Sequence, residues 1–291
     1  MAFNVECPSG LIVEARSFNI STRKMLRDAK LVAQGKVLTA IADAASVRVI
    51  EPGPYLRQTA DKDSKPRWDE ISLIDLGTFL TKVRARIPTP HTFTHACDCS
   101  HVNHREINLK DVKHPPMAQE AIEHLRDGTE IRRTVKYFDP DTETTREVSM
   151  TIEMHRGKFA RKIATQQRED PSLVGDLTVA SQLRDVKPDD GTELAMDADV
   201  LEWYLVQAWD LQDNISEAIN ELVGGMDTRV QTNCANCGAE VEGRFGFDAP
   251  FFFPKKKPSR GVRARAKGAI TRKTSSRSSS APPTSPTSTS P

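Results

Sequence analysis

The sequence predicts an α+β protein made of β-hairpins and short helices, and three observations carry that expectation. Strand-like alternation recurs in pairs around turn residues, first where Phe3, Val5 and Cys7 face Leu11, Val13 and Ala15 across Pro8-Ser9-Gly10. Apolar residues at helical spacing fill the stretches between these pairs. Four of the five cysteines form two tight groups, Cys97-Asp98-Cys99 and Cys234-Ala235-Asn236-Cys237, each lying between strand-like runs.

The first hairpin is expected over residues 3–17, with Cys7 as a small buried hydrophobe. Asn19 to Thr22 offer helix N-caps, and Met25, Leu26, Ala29 and Val32 continue at helical spacing to Gly35, which predicts one helix. A second short helix is expected over 36–46, leading into the strand Val47-Arg48-Val49-Ile50. Glu51-Pro52-Gly53-Pro54-Tyr55 then forms a rigid turn before a polar surface loop at 56–67. Trp68 is expected to open a helix with Asp69 and Glu70 in its first turn and Ile71, Ile74, Leu76, Phe79, Leu80 and Val83 on its buried face.

Past Ile87-Pro88-Thr89-Pro90, a strand from His91 to Cys97 and a returning strand over 106–109 bracket the first cysteine pair. A further hairpin pairs Ile131–Phe138 with Val148–Met154. Helices are expected from Arg156 to about Arg168, after Asp197 or Asp199, and around Ile215, Ala218, Ile219 and Leu222 as far as Gly224-Gly225. Val230 and the run Val241–Phe247 flank the second cysteine pair. Phe251-Phe252-Phe253-Pro254 reads as a terminal strand capping that hairpin, with at least one phenylalanine on the opposite face because strand side chains alternate.

Composition divides the chain at this point. The whole carries 41 Lys or Arg and 40 Asp or Glu, a net charge of +1. Ten of the basic residues and none of the acidic ones follow Pro254, which leaves 31 against 40, a net of −9, for residues 1–254. An acidic folded body over 1–254 and a basic, Ser/Pro-rich tail over 255–291 are therefore expected, the tail too poor in apolar residues to fold. The mean hydropathy is −0.50, and no apolar run reaches the roughly 20 residues of a membrane span. With no basic-then-apolar leader at the N-terminus, residence in a reducing cytoplasm is expected, where clustered cysteines bind metal more often than they form disulfides.

The cysteine pairs carry the main chemistry. Two sulfurs a tight turn apart can face one point, and two such pairs supply the four thiolates of a structural zinc site. Strand, cysteine pair and strand occur twice, so two facing hairpins would make a zinc-ribbon-like clamp holding Zn2+ on Cys97, Cys99, Cys234 and Cys237. Two other readings stand beside it: His101 or His95 replacing one sulfur near the shorter Cys-x-Cys group, and cysteines that bind nothing. Four thiolates would leave no open coordination position, so a catalytic zinc is not expected.

Nothing in the sequence argues for an enzyme. It contains no Gly-rich phosphate loop, no Gly-x-Ser-x-Gly elbow and no His-Glu-x-x-His pair. Asp139/Asp141 and Asp189/Asp190 sit among turn residues, where solvated carboxylates are the ordinary case. The tail offers a possible nucleic-acid contact through Lys255–Lys257, Arg260, Arg263 and Arg265 against phosphates. It has no aromatic side chain for base stacking.

Cys7-Pro8-Ser9-Gly10-Leu11 with Val13-Glu14-Ala15-Arg16, the Lys24-Met25-Leu26 segment, Glu51-Pro52-Gly53-Pro54-Tyr55, the Trp68 helix leading to a cysteine pair, a late Cys-x-x-Cys-Gly and a closing Phe-Phe-Pro follow one another in order. In this the chain resembles the T-even-type bacteriophage baseplate protein family over about residues 1–254. Members of that family act in assembling the hub of contractile tails and related injection machines. The resemblance implies a non-enzymatic assembly factor or minor structural component. Its partners would be other baseplate and hub proteins, and its setting the host cytoplasm during assembly or the baseplate of the virion. The chain departs from the family pattern in the single residue between Cys97 and Cys99 and in the tail. The alternative from another class is a zinc-ribbon regulator that binds nucleic acid through residues 255–291.

Overall fold

The structure is a computed structural model that describes residues 2–57, 64–139, 142–169, 173–189, 191–192, 194, 197–224, 229–244 and 249–252. The chain divides into two units, Met1–Lys255 and Lys256–Pro291, and every described residue belongs to the first. The expected disordered tail and Phe253 lie outside the described residues. Among the described residues helices are mixed with sheets in which every pairing is antiparallel, so the protein is α+β. Among the described residues no helix is long and apolar enough to cross a membrane.

The first sheet has the order β1-β2-β3, with β1 at Ala2–Glu6, β2 at Ile12–Arg16 and β3 at Ser46–Glu51. Its hairpin turn closes where the Cys7 N–H donates to Leu11 O at 2.8 Å, and Cys7 is buried as expected. The helix expected over 20–34 is instead two, α1 at Ile20–Met25 and α2 at Ala29–Ala33. Asp28 breaks the run because its carboxylate accepts from the N–H groups of Lys30 and Leu31 and so caps a new helix. Helix α3, Val37–Ala45, leads directly into β3.

The helix expected from Trp68 begins later, as α4 at Leu73–Arg84 with Ser72 as its N-cap. Trp68 belongs to the preceding turn, buried on the ring of Phe79 (centroids 4.5 Å apart), and its indole N–H donates to Ser46 Oγ at 3.0 Å. Satisfying that polar edge fixes the tryptophan outside the helix.

A polar knot ties α4 to the first sheet. The Tyr55 hydroxyl donates to Asp75 Oδ2 at 2.5 Å, the Ser9 N–H donates to Asp75 Oδ1 at 3.2 Å, and the Tyr55 oxygen accepts from the Ser72 N–H. Burial pushes the Asp75 carboxyl above the ordinary range, opposed by the hydrogen bonds from Tyr55 and Ser9. A raised folded-state pKa contributes stability that is fully present below the unfolded value and is lost as pH rises through the folded one. Asp75→Asn is therefore expected to gain stability relative to wild type as pH rises from about 4, read as the difference between their urea midpoints. A difference that stays flat with pH would show that Asp75 does not titrate differently in the two states.

The second sheet, β6-β7-β8, joins Ile131–Asp139, Thr144–Ile152 and Leu183–Pro188. The expected hairpin is β6–β7; residues 140 and 141 of its turn lie outside the described residues. Around this sheet stand α5 at Gln119–Asp127, α6 at Ala160–Glu169, α7 at Val174–Ala180, α8 at Asp197–Leu205 and α9 at Trp209–Val223. Gly224 ends α9 at φ 66°, and a Cβ there would lie 2.2 Å from Pro116 O, so only glycine fits. The two sheets share one apolar core running from Val5 and Leu11 through Phe79 and Leu80 to Ile152, Leu183 and Leu211.

Two further two-stranded hairpins complete the described body. Strands β4 at His91–Ala96 and β5 at Val102–Ile107 pair with each other, as do β9 at Arg229–Asn233 and β10 at Glu240–Arg244. The strand after the first cysteine pair thus starts before the expected 106–109 and overlaps it at Glu106 and Ile107. The Phe251 region is α10, Ala249–Phe252, and not a strand. Helical geometry lets consecutive residues turn into one core, and Phe251 and Phe252 are both fully buried.

Candidate metal centre

An isolated two-stranded hairpin is marginal in water, and the two cysteine hairpins meet at their loops. The loops are built alike. In the first, the Cys97 N–H donates to His101 O at 2.9 Å and the Ser100 N–H to Cys97 O at 2.7 Å. In the second, the Cys234 N–H donates to Ala239 O at 2.7 Å and the Gly238 N–H to Cys234 O at 3.0 Å. The residue after the second cysteine is left-handed in both, Ser100 at φ 64° and Gly238 at φ 75°. The missing residue of Cys97-Asp98-Cys99 is thus taken up between the cysteines, and the chain leaves both loops in the same way.

Serine pays a steric penalty in this conformation that glycine does not. Ser100→Gly is expected to stabilise the protein by about 0.5–1 kcal/mol, seen as a higher urea midpoint with unchanged slope. A destabilised Gly variant would mean that the Ser100 side chain holds the loop by some other contact.

The four sulfurs meet. Their Sγ atoms all lie within 4.8 Å of one another. The first cysteine of each loop faces the second of the other, with Cys97 Sγ 3.6 Å from Cys237 Sγ and Cys99 Sγ 3.7 Å from Cys234 Sγ. Four sulfurs about 2.3 Å from a tetrahedral ion would stand about 3.8 Å apart, whereas a disulfide needs about 2.05 Å. All four are free thiols. Cys97 and Cys234 are buried while Cys99 and Cys237 reach solvent, so one side of the cluster faces the protein and the other is open. Four cysteines placed this way could hold a metal ion. His101 is not among the clustered ligand atoms; its backbone carbonyl closes the loop instead. The side chain of His95 lies outside the described residues.

Backbone and amide donors surround the sulfurs. The Asn236 N–H points at Cys234 Sγ at 3.5 Å, and the Asn236 side-chain amide at Cys99 Sγ at 3.7 Å. The N–H groups of Cys237 and Asn236 draw the Cys234 thiol down to about 5, with help from the Asn103 amide. The His101 N–H lowers Cys99. The Cys99 N–H acts the same way on Cys97, but burial and the neighbouring thiols outweigh it and push Cys97 up to about 12.

Asn103 is the residue that sequence reasoning missed. It is 2 % exposed on β5, its Oδ1 accepts from the Ala235 N–H at 3.0 Å, and its Nδ2 donates to Cys234 Sγ at 3.6 Å. One side chain of the first hairpin therefore orients the cysteine loop of the second. An asparagine inside a strand runs against β-propensity, and that was the available signal.

The second hairpin is tied to the body through α10. The Phe251 ring meets His91, the first residue of β4, edge-on at 5.3 Å, and Phe252 meets Phe18 at 5.4 Å. Arg84, at the end of α4, donates through Nε to Phe251 O and through Nη2 to Thr89 O at 2.9 Å.

No protein-family model, curated protein or solved structure matches the chain.

Proposed function

We propose that Cys97, Cys99, Cys234 and Cys237 hold one structural zinc ion, and that the protein is a non-enzymatic hub assembly factor or minor structural component of a contractile phage tail baseplate or related injection machine. The observation that carries the zinc reading is the crossed approach of four free thiols from two hairpins 135 and 140 residues apart, at separations suited to one tetrahedral ion. Four soft sulfur donors favour zinc, and they close its coordination sphere. The baseplate reading is supported by the ordered resemblance of residues 1–254, in which the metal clasp serves the surfaces it joins and takes no part in a reaction.

Metal analysis of the purified chain should give one zinc per molecule, and expression beside tail hub proteins should give a complex that survives purification. Zinc with no hub complex would remove the baseplate reading and leave the clasp. A second reading is a zinc-ribbon regulator that binds nucleic acid, favoured by the ten basic and no acidic residues after Pro254. DNA affinity that falls steeply with salt and vanishes on deletion of residues 255–291 would establish it in place of the first.

A further inference from the structure

The turn between α8 and α9 presents large apolar side chains to solvent. Trp209 is 84 % exposed, Val206 75 % and Leu205 38 %. The Phe138 N–H donates to Asp210 Oδ2 at 3.1 Å, which brings Phe138, 53 % exposed, to the same corner. Single exposed apolar residues are ordinary, but a tryptophan with three apolar neighbours is the composition of a binding anchor.

The two helices of this corner carry charge of one sign. Residues 197–223, which form both helices, contain seven acidic residues and no lysine or arginine. On the adjoining strands Lys136 already pairs with Glu147 at 3.1 Å and Arg146 with Asp139 at 2.8 Å. We infer that the α8–α9 corner is a docking surface for a basic amphipathic helix of a partner protein, whose apolar face covers Trp209 and Val206 while its lysines or arginines meet the acidic helices. A second copy of this chain would set one acidic surface against another and does not fit. The inference stands on this surface alone and is independent of the metal site and of the baseplate reading.

The test titrates the full chain with an amphipathic Leu/Lys peptide of about five helical turns and with a Leu/Glu peptide of the same pattern. The Leu/Lys peptide is expected to bind more tightly, to weaken with salt and to shift the Trp209 emission to the blue. The double variant Trp209→Ala/Val206→Ser should lose at least about tenfold in affinity, and Glu202→Lys/Asp213→Lys should reverse the peptide preference. These residues are on the surface, so unchanged melting will confirm that each variant folds. Equal binding of the two peptides, or undiminished binding by the Trp209/Val206 variant, would overturn the inference. So would self-association that Trp209→Ala abolishes, since the occupant would then be a second copy.

Discussion

Cys234→Ser is expected to abolish stoichiometric metal binding and to lower the unfolding free energy by roughly 3 kcal/mol or more, a fall of about 10 °C in Tm. Among the described residues neither β4–β5 nor β9–β10 has a third strand, and the sulfur cluster joins the tips of both. With one thiolate gone only three sulfurs are left to hold an ion, and the Asn103 amide loses its contact with Cys234 Sγ. Cys7→Ser is the control. Cys7 sits in the core of the first sheet, its thiol directed at Asp75 O at 3.7 Å, so this variant should lose stability while retaining its metal. A chelator should lower the Tm of wild type and Cys7→Ser but leave Cys234→Ser unchanged. Equal metal content in wild type and Cys234→Ser would remove Cys234 from the ligand set.

The second large effect is expected at Arg84→Met. The Arg84 side chain is buried, and its guanidinium reaches the carbonyls of Phe251, Thr89 and Ile87. Methionine keeps much of the volume and removes the donors, so the buried Phe251 carbonyl loses its partner at about 1–3 kcal/mol and the part-buried carbonyls of Thr89 and Ile87 lose theirs at a smaller cost. A loss of about 3 kcal/mol is expected, read as a lower urea midpoint at unchanged slope. Metal stoichiometry should persist, because Arg84 anchors α10 and not the sulfurs, and this separates the variant from Cys234→Ser. A loss below about 1 kcal/mol would mean that the carbonyls find other donors.

What was legible in the sequence were features written in consecutive residues. Alternation around Pro8-Ser9-Gly10 marked the first hairpin, and the cysteine pairs between strand-like runs marked both hairpins of the cluster. What escaped depends on distant partners or on irregular backbone. Strand β8 was missed because Asp185 takes φ 48° and the register with β7 shifts, so Leu183 and Val186 are buried three residues apart and not two. Helix α5 was missed because it buries only Ala121 and Leu125 of its nine residues, too short a stripe to stand out. The Trp68 boundary was misplaced because a hydrogen bond to Ser46, 22 residues away, outweighs helical spacing. For Phe251 and Phe252, the assumption of strand geometry forced one ring outward, and the helix removes that constraint. Asn103 needed both hairpins in place before its role could be seen.

Whether one ion pairs the distant cysteines is read from X-ray absorption at the zinc edge of the purified chain. Four sulfur ligands at about 2.3 Å are expected, with one zinc per chain. A shell containing oxygen or nitrogen, or a folded chain with no zinc, would contradict the four-cysteine clasp.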